Sequence, residues 1–146
     1  MTASNIELFD VLTGRILAKL YQHFPVDVPL EAWDYRDLFS GPPMEDGWLD
    51  ADDSAFFQST VLWLGSAGYL EHGSATNNGD VYGCVLTAKG LEVLKALPAS
   101  LQAGPTLGDQ LVDASKGGAK EVLRGVASEA LSLGARMLTS HFGLPS

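Results

Sequence analysis

Residues Asp53–Leu97 read DSAFFQSTVLWLGSAGYLEHGSATNNGDVYGCVLTAKGLEVLKAL, and this stretch decides the fold class. Phe56, Phe57, Thr60, Val61 and Leu64 recur at helical spacing after Asp53 or Ser54, either of which is a good N-cap. Gly68 is placed to end that helix in the left-handed conformation. Tyr69–His72 and Asp80–Leu86 alternate as short strands around a Gly/Asn-rich tip, residues 73–79, in which Asn77-Asn78-Gly79 is a turn signal. Thr87 then caps a helix from Ala88 to about Leu97, which Pro98 closes.

Upstream, Ser4-Asn5-Ile6-Glu7 has the spacing of a capping box. Ile6, Phe9, Val11, Leu12, Ile16, Leu17, Leu20 and Phe24 continue it as an amphipathic helix that Pro25 ends. Val26–Val28 reads as a short extended piece. Pro29 fits the first turn of a second helix over Leu30–Phe39, with Leu30, Trp33, Leu38 and Phe39 inward and Glu31, Asp34 and Asp37 outward. Residues 44–53, MEDGWLDADD, read as an acidic loop pinned at Trp48 and Leu49. Trp33, Trp48 and Trp63 are assigned mostly to the core, with Trp48 the most exposed of the three.

Downstream, residues 99–108 are a Gly/Pro/Ala linker, and Leu107 or Asp109 to about His141 reads as a long helix rich in small residues, with Gly117-Gly118 the place where it would break if it does. A helical projection gathers Leu111, Val112, Val122, Leu123, Val126, Ala130, Leu133 and Met137 on one face. The domain plan is thus residues 1–98, a linker at 99–108 and an amphipathic appendage at 109–146. The fold class is α+β, mainly α, with a small β-hairpin.

The run W-L-x-x-x-G-Y-L, a polar hairpin, then V-L-T-A-K-G-L-E-V-L resembles the winged helix-turn-helix superfamily. The matching positions are Leu64, Gly68, Tyr69 and Leu70 before the wing, and Leu86, Thr87, Lys89 and Gly90 after it. The resemblance implies a winged-helix domain whose third helix enters a DNA major groove. It would place Gln58, Ser59 and Asn77 near the duplex and Lys89 near phosphate.

Charge argues against that function. The formal net charge is −9. Residues 1–60 hold Arg15, Lys19 and Arg36 against eleven acids, net −8. Residues 54–68 contain neither Lys nor Arg, and Asp50, Asp52 and Asp53 stand where a phosphate would approach the helix. Protein–protein contact is therefore the leading reading, through the C-terminal stripe of Leu111, Val122, Val126, Leu133 and Met137, and through Trp48. The stripe folds back on the core, pairs with a second copy in a homodimer, or docks another protein. A membrane surface is disfavoured because Glu121 and Glu129 dilute the charge of that segment.

Chemistry is scarce. Cys84 is the single cysteine, so there is no disulfide framework, and no basic-then-apolar leader or membrane span is read; cytoplasm is the expected compartment. Asp46, Asp50 and Asp52 lack the register of a calcium loop, and His23, His72 and His141 lack ligand spacing, so no metal or other cofactor is expected. A Cys84–His72 pair across the wing is conceivable, but VYGCVL reads as a buried strand. The sequence is read as that of a non-enzyme.

Overall fold

The computed structural model describes residues 4–40, 48–98 and 104–141. It is mainly helical, with a small antiparallel sheet. Helix α1, Asn5–His23, begins at the expected capping box: the Ser4 hydroxyl accepts from the Glu7 N–H at 3.1 Å, and Ser4 N donates to Glu7 Oε1 at 3.1 Å. Between Val11 and Leu20 only Arg15 and Lys19 escape burial, so α1 is a central helix rather than an amphipathic surface one.

Strand β1, Val28–Leu30, lies two residues beyond the expected Val26–Val28. It pairs antiparallel with β3, Val81–Leu86, whose other neighbour is β2, Leu70–Glu71; the sheet order is β1-β3-β2. Pro29 sits in this edge strand and not at a helix start, which an edge tolerates because its missing N–H has no obligatory partner. The helix expected over Leu30–Phe39 is a 3-10 helix, Ala32–Leu38. Its start is set from far away, because the buried Asp80 carboxylate accepts the Ala32 N–H at 2.9 Å. Ala32 and Tyr35 are its buried residues, and Tyr35 meets Phe57 at a ring distance of 5.0 Å. Trp33, Leu38 and Phe39 are only half-buried.

Helix α2, Ala51–Ser66, is capped by Asp50 and not by Asp53 or Ser54: Asp50 Oδ1 accepts the Asp53 N–H at 2.9 Å. Asp52 and Asp53 fall in the first turn, where the dipole favours acids. The end of α2 is a Schellman turn, with Tyr69 N bonded to Leu64 O at 2.9 Å, Gly68 N to Gly65 O at 3.0 Å, and Gly68 at φ +91°. Helix α3, Ala88–Lys95, follows β3 with Thr87 as its cap.

The C-terminal segment is two helices. Helix α4, Leu107–Gly117, starts with a Thr106–Asp109 capping box, and Gly118 at φ +68° turns the chain into α5, Lys120–His141. Both pack on α1. A Cβ at Gly14 would stand 3.0 Å from Leu123 O and 3.4 Å from Leu111 Cδ2, so the helices meet closely there because that side chain is absent. Leu107, Leu111, Leu123, Val126 and Ala130 share one core with α1 and the sheet. Leu123→Ala should cost about 2–5 kcal/mol by chemical denaturation, while Val122→Ala on the exposed side should stay within about 0.5 kcal/mol; equal losses would mean that α5 is rotated.

Candidate binding groove between the first two α-helices

Of the residues placed near DNA by the resemblance, two are engaged with the protein itself. Gln58 Nε2 donates to Thr76 O at 2.7 Å and to Asp80 O at 3.4 Å, holding the β2–β3 hairpin against α2. Lys89 Nζ donates to Ala67 O at 2.8 Å, where it satisfies a carbonyl at the α2 C-terminus, and lies 4.4 Å from the centre of the Tyr69 ring. Ser59 and Asn77 are exposed. Asn78 braces the hairpin from within, donating to Asp80 Oδ2 at 3.1 Å.

Three arginines near this half are also engaged. Arg15 Nη1 donates to both Asp37 carboxylate oxygens, at 2.8 and 2.9 Å, and the guanidinium lies over the Tyr35 ring. Partial burial would raise the Asp37 carboxyl, but Arg15 outweighs it and holds the group below the usual carboxylate range. Arg36 stacks on Trp33 at 4.6 Å, and Arg124 bridges Glu7 and Glu121 at 2.6 and 3.0 Å.

The conceivable Cys84–His72 pair is not formed. Cys84 is fully buried, with Sγ donating to Val81 O at 3.5 Å, whereas His72 is exposed and its Nδ1 lies 3.0 Å from Gly73 O. Burial, with Asp27 adding to it, pushes the Cys84 thiol up to about 11. Among the described residues no three His, Cys, Asp or Glu side chains gather at metal-binding distance. Glu45 and Asp46 lie outside the described residues, and Asp50 acts as the α2 cap.

The expected C-terminal stripe is largely consumed by the core. Leu111 and Val126 are buried and Leu133 and Met137 half-buried; only Val122 is well exposed. The reason is α1, which the stripe covers. Trp48 is 51% exposed and lines a small polar pocket with Leu49, Asn78 and Asp80, so it is Leu49 alone that is buried at the pinned end of the acidic loop.

A larger site lies where the sequence placed core. The first two turns of α1 and the outer face of α2 form an open groove of about 610 Å³, lined by Ile6 and Phe9 on one side and by Ala55, Phe56, Thr60 and Trp63 on the other. On α2, Ala55, Ser59 and Trp63 follow at four-residue steps on the side away from the buried Phe57, Val61 and Leu64, with half-buried Phe56 between the two sides. Trp63, assigned to the core by its size, is 49% exposed, and Ile6 is 68% exposed. Phe9 and Trp63 meet edge to face at 5.4 Å, which fixes the groove wall. Thr60 Oγ1 donates to Phe56 O at 2.9 Å, so its hydroxyl is satisfied within α2. Asn5, Asp52 and Ser59 supply the polar rim. Asp10, next to Phe9, has its carboxyl raised by partial burial, with Arg124 opposing.

No known protein family, curated protein or solved structure matches the chain. Among the described residues no helix is long and apolar enough to cross a membrane. The buried thiol makes a direct prediction: at pH 8 Cys84 should stay protonated and resist a disulfide reagent in the folded chain, then react fully in denaturant. Reaction in seconds without denaturant would contradict its place in the core.

Proposed function

We propose that the chain is a winged-helix module, without catalytic chemistry of its own, that captures a segment of another protein in the α1–α2 groove. The observation that carries this reading is the outer face of α2. The helix that the resemblance would send into DNA presents Ala55 and Trp63 to solvent beside a half-buried Phe56, and residues 51–66 contain no Lys or Arg. Contiguous exposed apolar surface with a polar rim is the mark of an interaction site.

Three observations support it over the DNA-binding alternative. Gln58 and Lys89 hydrogen-bond the protein's own carbonyls. Asp50, Asp52 and Asp53 surround the α2 N-terminus and would repel a phosphate backbone. Residues 1–60 carry a net charge of −8. The winged-helix assignment itself rests on the quoted sequence pattern and on the order of α1, β1, the 3-10 helix, α2 and the β2–β3 hairpin.

The test is a photocrosslink. p-Benzoylphenylalanine replaces Ser59 on the groove rim or Ser128 on the exposed side of α5, and cells producing each variant are irradiated. A covalent adduct to another polypeptide is expected from position 59 and not from 128. Adducts to nucleic acid, or no adduct from position 59, would contradict the reading.

A further inference from the structure

We infer that the occupant of the α1–α2 groove is a basic amphipathic helix, with apolar side chains along one stripe and Lys or Arg beside them; this rests on the docking reading above. Both walls are helices whose backbone hydrogen bonds are internal, so no strand edge is offered for an extended peptide to pair with. The floor of Ile6, Phe9, Ala55, Phe56 and Trp63 offers apolar contact along its length. The polar groups at the rim do not converge as they would to orient a small molecule. A helix presenting anchors at i, i+4 and i+7 matches such a floor.

Charge selects among helices. Among the described residues Asp52 is the one charged side chain lining the groove. Asp50 and Asp53 flank it, and Asp10 stands beside the Phe9 wall. The nearby Arg15 and Arg36 are engaged, one with Asp37 and the other on Trp33. A partner with cations beside its anchors gains attraction and faster encounter, whereas an acidic helix meets like charge. A second copy of this chain is disfavoured for the same reason, because it would bring one acidic rim against another.

Isothermal titration calorimetry of the full chain at 150 mM salt tests this with three synthetic 14-residue peptides. One places Leu at i, i+3, i+4 and i+7 with Lys between; the second carries Glu in place of Lys; the third has the first one's composition with the periodicity scrambled. The periodic basic peptide should bind at least tenfold more tightly than either of the others. Trp63→Ala and Ser59→Arg, one removing a wall and one obstructing the groove, should each weaken it at least tenfold. Asp34→Lys, an equal or larger charge change on the exposed 3-10 helix, should weaken it less than threefold. Circular dichroism melting identifies a variant that fails to fold, and the other groove variant then decides. If the acidic peptide binds as tightly as the basic one and both respond to the groove variants, the groove docks helices but the basic partner is overturned. If no peptide responds to the groove variants, both the inference and the docking reading fall. A dimer in light scattering that Ser59→Arg dissociates would make the occupant a second copy and overturn the inference.

Discussion

Tyr69 joins the end of α2 to both α3 and α5. The left-handed turn at Gly68 delivers it from the end of α2, and its carbonyl accepts the Thr87 N–H at 3.2 Å while the Thr87 hydroxyl donates to Gly68 O. Gly90 lets α3 press against the Tyr69 backbone, where a Cβ would come within 3.1 Å of the Tyr69 carbonyl carbon. On its other side the ring lies under α5 at Gly134, where a Cβ would stand 2.7 Å from Tyr69 Cζ, and its hydroxyl donates to Leu131 O at 3.0 Å. Burial raises the Tyr69 hydroxyl above its ordinary pKa. One residue thus ties α2, α3 and α5 together.

The groove follows from that geometry. Helix α1 is enclosed by α4 and α5 through its middle, so the chain's own helices leave its first turns, with Ile6 and Phe9, facing α2. Helix α2 carries large apolar side chains on two sides. One carries Phe57, Val61 and Leu64 into the core, and the other remains open to solvent. Burying the second face against a partner would remove a large aromatic surface from water, the dominant favourable term in most protein association.

What was legible in the sequence is what is decided locally. The Ser4 capping box, the Gly68 turn and the Thr87 cap depend on residues three to five apart, and each stands where its spacing puts it. The helix expected over Leu30–Phe39 starts later, at Ala32, whose N–H is held by Asp80, 48 residues away in the chain. Gln58 looked like a base reader because nothing nearby in sequence shows that it answers the carbonyls of Thr76 and Asp80. Trp63 looked like core because of its size, which does not say which neighbour it meets. The same ambiguity made the C-terminal stripe look free, when Gly14 on α1 had already made room for Leu111 and Leu123. Its charge pattern, by contrast, was legible in full, since counting acids needs no fold.

The central claim is that the outer face of α2 is built to meet protein rather than nucleic acid. Nuclear magnetic resonance titration of the isotope-labelled chain with duplex DNA, followed on the amides of Ala55 and Ser59 and the indole N–H of Trp63, tests it most directly. The account predicts that these signals stay in place in low salt, where phosphate attraction is strongest. Saturable shifts at those positions that fade as salt is added would contradict it.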